Sequence, residues 1–147
     1  MTVVVCGLAT VGASMAAWLL ERGHTVVGVD TDASKREAVA GGRAPVSEPG
    51  MAEAFADGVA TGRLSVADDL ARAMMDPAVD TVAIAVGTPR AEDGSLSLAQ
   101  IHAATNAVID GIRRRPDEGS CRKRVGAAGV EQHDGDRDAR LQPVDQR

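Results

Sequence analysis

The sequence predicts an α/β chain built on a doubly wound parallel sheet. Three observations predict it. Residues 3–6, 25–29 and 81–86 are short, β-branched apolar runs without polar alternation, as strands buried on both faces read. Segments with helical spacing lie between the runs. Glycine or proline punctuates most junctions, and alternating strands and helices point to a parallel sheet.

The elements follow in order. Residues 3–6 form the first strand, bounded by Gly7. A helix is expected over 11–22, where Val11, Met15, Trp18, Leu19 and Arg22 share one side and only Arg22 is polar. Gly23 stands at the C-cap position. The second strand, 25–29, ends in Asp30. Asp32 caps a helix over 33–40 that Gly41-Gly42 stops. A loop over 43–50 holds two prolines. A helix over 51–60 turns Met51, Ala54, Phe55 and Val59 inward, and Gly62 breaks it. A third short strand covers 64–66, and a helix opens at Ala67 or Asp68 and runs to Met75, before Pro77. The fourth strand, 81–86, runs into Gly87-Thr88-Pro89, and residues 98–113 form a helix after a polar loop. Leu98, Ile101, Thr105, Val108 and Ile112 lie roughly on one of its faces.

Strand, glycine turn, helix, strand and acid make the first βαβ unit of a dinucleotide-binding, Rossmann-type sheet. Its chemistry is phosphate capture by the free N–H groups and partial positive charge of a helix N-terminus. Gly7 makes the turn out of the strand, and Gly12 lets the helix pack on it. The turn reads Gly7-Leu8-Ala9-Thr10-Val11-Gly12, so Ala9 stands where the fingerprint has its second glycine, and weakened cofactor binding is expected. Asp30 is spaced to bind a ribose 2′-hydroxyl, which favours NAD over NADP. The alternative is a unit whose glycines serve packing alone. Lys35 and Arg36 occupy a first helical turn, where cations are unfavourable. Lys35 either reaches an anionic ligand or is solvated. Thr88, beyond the end of the fourth strand, is either a ligand contact or a turn residue before proline. His24 and His102 read as solvated or partly packed.

Composition narrows the function classes. One Trp, one Phe and no Tyr leave little for stacking on bases, and a net charge of −5 disfavours nucleic acid and anionic membrane as partners. Cys6 and Cys121 make neither a disulfide framework nor a metal cluster, and Cys6 reads as a buried thiol. No apolar run reaches membrane-spanning length and no leader precedes the first strand, so a cytoplasmic protein is expected.

Further motifs add specificity. Arg22-Gly23-His24, Val27-Gly28-Val29-Asp30, Glu48-Pro49-Gly50, Thr61-Gly62-Arg63-Leu64, Val86-Gly87-Thr88-Pro89 and Asp93-Gly94-Ser95-Leu96 follow the glycine turn in that order. The set resembles the N-terminal, NAD-binding domain of the UDP-glucose/GDP-mannose 6-dehydrogenases, over roughly residues 1–115. Such enzymes oxidise a nucleotide sugar twice at C6 with NAD. The resemblance implies NAD contacts at Val11, Asp30, Lys35 and Thr88. Ala9 and Thr10 depart from the family's usual glycine and tyrosine.

Residues 1–118 are therefore expected to form the NAD-binding domain, with strand order 3-2-1-4. From residue 119 the resemblance ends. The stretch 119–147 holds six basic and five acidic residues and no period of 2 or 3.6, and reads as a disordered or out-of-frame tail. The family's fifth strand, nucleotide-sugar domain and catalytic cysteine find no match. Cys121 lies beside Arg122, Lys123 and Arg124 but has no base partner in sequence, and no residue is assigned a catalytic role. Without a fifth strand, the fourth would be an exposed apolar edge inviting self-association. Three functions remain open: an NAD-binding domain incomplete for catalysis alone, an oxidoreductase subunit completed by another chain that supplies the nucleotide-sugar site, and a truncated product without function.

Overall fold

The structure is a computed structural model that describes residues 1–90 and 94–115, together with the backbone of Arg124–Ala127. The chain runs β1 (Thr2–Cys6), α1 (Thr10–Glu21), β2 (Thr25–Val29), α2 (Ala33–Ala40), α3 (Met51–Ala60), β3 (Leu64–Ala67), α4 (Leu70–Met74), β4 (Val79–Ile84), α5 (Ala99–Arg113) and β5 (Arg124–Ala127). All neighbouring strands are parallel, in the order β3-β2-β1-β4-β5. The expected order 3-2-1-4 is present within it. Helices cover both faces of the sheet. Val3 and Val5 point into one core, with Ala13, Ala16 and Leu20 of α1 and Phe55 of α3. Val4 and Cys6 point into the other, with Met74 of α4 and Ala104 and Val108 of α5. This two-sided burial is why the strands carry no polar alternation.

Two expectations are corrected. Helix α1 does not bury the whole side shared by Val11, Met15, Trp18, Leu19 and Arg22, although Leu19 is buried and Met15 packs half-buried against the core. It buries Gly12, Ala13, Ala16, Ala17, Leu19 and Leu20, while Val11 is 43% and Trp18 50% exposed. The glycine turn brings α1 close over β1, and only small residues fit between them. The Trp18 ring lies outside, with the Arg22 guanidinium 3.9 Å from its centroid. The second correction concerns the edge of β4. Arg124–Ala127 pairs with it, Thr81 opposite Arg124 through Ile84 opposite Ala127. The exposed edge, and the self-association expected from it, therefore lose their basis. The rest of the expected tail, with Cys121, lies outside the described residues.

Strand β4 begins and ends two residues earlier than its apolar run suggested. The Ala85 N–H still donates to the Cys6 carbonyl at 2.7 Å, after which the chain leaves the sheet. The carboxyl ends of β1 and β4 lie at the edge where crevices form in such sheets, with Gly7 packed against the Ala85 carbonyl.

Candidate functional site

Gly7 sets the geometry of the crevice. Its φ is +96°, and a Cβ there would collide with the Ala85 carbonyl. The Gly7 N–H donates to the Val29 carbonyl at 2.7 Å, tying the turn to the end of β2. Gly12 faces the Gly7 carbonyl so closely that a Cβ would displace α1. Leu8 is fully buried and packs over Gly28, where an added Cβ would lie 3.1 Å from the Leu8 Cδ1.

Helix α1 then starts without a side-chain cap and without an acid of its own. Ala9, its N-cap, has φ −76° and ψ −171°, extended backbone that any residue adopts. The helix's first N–H groups and the positive end of its dipole are left for an anion. One turn in, the Ser14 hydroxyl shares its single proton between the Thr10 carbonyl at 2.8 Å and Glu48 Oε2 at 3.0 Å, linking the Glu48-Pro49-Gly50 loop to α1.

Asp30 leaves β2 beside this turn. Its Oδ2 accepts from the Leu8 N–H at 2.7 Å and its Oδ1 from the Asp32 N–H at 2.9 Å. Lys35 Nζ stands 3.6 Å from Oδ2, with side-chain exposures of 34% for Lys35 and 9% for Asp30. The Arg36 guanidinium donates to the Asp30 carbonyl at 2.7 Å. The two cations in the first turn of α2 are thus offset by Asp30, and Asp32 caps that helix by accepting from the Ser34 N–H at 2.9 Å. The Ser34 hydroxyl, donating to the same carboxylate, lowers the Asp32 pKa.

A cleft of about 540 Å³ opens between these groups, β4 and α5. Gly7 and Ala9 form one wall, Asp30, Asp32 and Lys35 another, and Val86 and Gly87 a third. Leu70, Ala103, Ala104 and Ala107 supply an apolar wall, and Asp68 and Gln100 add polar groups. The structure therefore brings Gly7, Asp30 and Lys35 to one cleft. Gly12 lies beneath the turn, Val11 faces outward on the first turn of α1, and Thr88 lies one residue past the lining residue Gly87. Asp68 and Gln100 escaped the sequence reading, since neither belongs to a motif. The small-residue run Ala103, Ala104 and Ala107 was the one available signal for the α5 wall.

Cys6 also lines the cleft, as a free and buried thiol. Burial, with a smaller contribution from the Asp30 charge, pushes its pKa up to about 11. At neutral pH it is protonated and a poor nucleophile. His102 is exposed and outside the cleft. Among the described residues, no three His, Cys, Asp or Glu side chains are placed to hold a metal ion, and no helix is long and apolar enough to cross a membrane.

Comparison with known proteins shows the family. The chain is 36% identical over 117 residues to a GDP-mannose 6-dehydrogenase of Pseudomonas aeruginosa, covering 80% of this chain and 26% of that protein. It is 39% identical over 114 residues to a UDP-glucose 6-dehydrogenase of Rhizobium meliloti, covering 77% of this chain and 26% of that one. A crystal structure of a ternary complex of GDP-mannose dehydrogenase from Pseudomonas aeruginosa superposes with a TM-score of 0.74 at 36% identity, over 80% of this chain and 26% of the other. The chain thus spans about a quarter of the length of the curated relatives it matches. Residues 1–116 match the NAD binding domain of the UDP-glucose/GDP-mannose dehydrogenase family, and the chain belongs to that family.

Proposed function

We propose that this chain binds NAD in the cleft at the carboxyl ends of β1, β2 and β4, as the cofactor-holding part of a nucleotide-sugar 6-dehydrogenase. The observation that carries the reading is the pairing of an uncapped, acid-free α1 N-terminus with the Asp30 carboxylate across one cleft. The residues fit such a cofactor. Each Asp30 oxygen accepts one N–H bond and keeps a second lone pair, enough for a ribose hydroxyl. The pyrophosphate would lie over the α1 N–H groups. Lys35 would partly balance the added negative charge, and the cleft volume lies within the usual range for small-molecule sites. Ala9 narrows the approach by one methyl group without straining the backbone. Val11 and Thr88 are proposed to touch the cofactor from the rim.

Bound NAD supplies the hydride acceptor. The protein's part is to orient it and to hold the cleft wall apolar through Leu70, Ala103, Ala104 and Ala107. The substrate class proposed is a nucleotide sugar of the UDP-glucose or GDP-mannose type. Its site would come from a further segment or a second chain, together with a thiol other than Cys6. Titration calorimetry tests the reading: NAD binds, and binds more tightly than NADP. Absence of binding, or equal affinity for both cofactors, overturns it.

A further inference from the structure

The Asp30 carboxylate also bonds the protein's own backbone. Its Oδ2 accepts the Leu8 N–H at 2.7 Å across 22 residues of sequence. Leu8 is the residue that follows Gly7 in the turn, and its own side chain is fully buried against Gly28 on β2. The Gly7 N–H is bonded to the Val29 carbonyl on the same strand at 2.7 Å. Two successive N–H groups of the turn therefore donate to the end of β2, one to backbone and one to a side chain. The Asp30 side chain is 9% exposed, and a bond from an N–H to an ionised carboxylate in such a setting is strong. The Arg36 guanidinium holds the Asp30 carbonyl at 2.7 Å, so the carboxylate is anchored from behind.

We propose that Asp30 is also the positioning residue of the phosphate-binding turn: through the Leu8 N–H it fixes the direction of the chain into Ala9 and the α1 N-terminus. This rests on the reading of the cleft as a dinucleotide site, and it goes beyond it. One carboxylate then couples the two halves of recognition. The lone pair that takes the ribose hydroxyl belongs to the same group that aims the N–H groups receiving the pyrophosphate. Without it, Leu8 keeps its apolar packing but its N–H loses its acceptor. The Gly7–Val29 bond and the buried Leu8 side chain still hold the turn, but the Leu8 peptide can reorient, and with it the chain that enters Ala9 and the α1 N-terminus.

The test separates the two roles. Binding of NAD and of an NAD analogue lacking both hydroxyls on its adenosine ribose is measured by calorimetry for wild type and for Asp30→Ala. A residue acting only on the ribose leaves the affinity for the analogue unchanged on substitution. The positioning role weakens analogue binding at least threefold as well. In the ligand-free proteins, hydrogen exchange at the Leu8 amide is expected to accelerate at least tenfold in Asp30→Ala. The Val4 and Val5 amides, in the sheet ladder, keep their protection and report an intact fold. Analogue binding or Leu8 exchange that stays at the wild-type value overturns the proposal. If Asp30→Ala does not fold, Asp30→Ser, whose hydroxyl stops short of Leu8, is read the same way. If wild type binds neither ligand, the cofactor reading fails, and the Leu8 exchange rate alone then decides the positioning role.

Discussion

At the scale of single residues, the cleft separates glycines that cannot be replaced from one position that can be improved. Gly7 combines a positive φ with contact to the Ala85 carbonyl, so Gly7→Ala is expected to cost about 2–4 kcal/mol of stability, measurable by urea denaturation. Ala9 is the opposite case. Its backbone is extended, and glycine is a better N-cap than alanine, so Ala9→Gly is expected to tighten NAD binding with little change in stability. Calorimetry of that variant checks both cofactor and turn. Asp30→Ala should weaken NAD by about 1.5–3 kcal/mol, the scale of hydrogen bonds to a charged group. Cys6 gives a pH prediction. Burial holds its folded pKa at about 11, above the ordinary thiol value of 9.0, so the native state retains a proton that the unfolded chain releases. Stability from this group is complete below pH 9, falls between pH 9 and 11, and is absent above. Cys6→Ala should flatten that part of the stability–pH curve.

At the scale of elements, α1 shows how periodicity misleads when small residues do the packing. Both sides of the helix carry apolar residues at helical spacing, and the larger ones, Val11, Met15 and Trp18, make the more conspicuous stripe in sequence. Close contact with β1 selects the alanine and glycine side instead. Leu20→Ala should therefore cost about 2–5 kcal/mol, as for a buried leucine, while Trp18→Ala should change stability by less than about 1 kcal/mol. Denaturation midpoints of the two variants settle the orientation. Helix α2 shows a different effect. Its first-turn cations oppose the dipole, yet Lys35 lies near Asp30 and Arg36 bonds its carbonyl. The positions of Lys35 and Arg36 are understood from the end of β2 and not from α2 alone.

At the scale of the whole molecule, the sheet gains a strand beyond the one the motifs reach. Pairing of β5 satisfies the N–H and C=O groups on the outer side of β4 that would otherwise template association. A chain ending at residue 118 is therefore expected to self-associate more than the 147-residue chain, as read by sedimentation velocity. Among the described residues, the thiol lining the candidate cleft is Cys6, which is held protonated at neutral pH. The 147-residue chain is accordingly expected to bind NAD but to give no NADH, followed at 340 nm, with UDP-glucose or GDP-mannose alone. Sustained turnover would show catalytic groups beyond those of the cleft.

The sequence by itself determined the alternation of strands and helices, the order 3-2-1-4 and the family. The alternation rests on local chemistry, namely β-branched runs, helical spacing and glycine turns; the strand order follows from the βαβ reading, and the family from the resemblance of the motif set. Gly7 and Asp30 could be placed near one another because a βαβ unit fixes where its turn and its second strand end, whereas Lys35 was left open by its position and came in through the resemblance. Tertiary structure alone decided the rest. It chose the buried side of α1, since only the distance to β1 distinguishes an alanine stripe from a tryptophan stripe. It added β5, because four strand residues in a polar stretch become a strand only when β4 supplies partners. It brought Asp68, Gln100 and the alanines of α5 to the cleft from segments far apart in the chain. And it tied Asp30 to Leu8, a bond across 22 residues that no spacing rule contains.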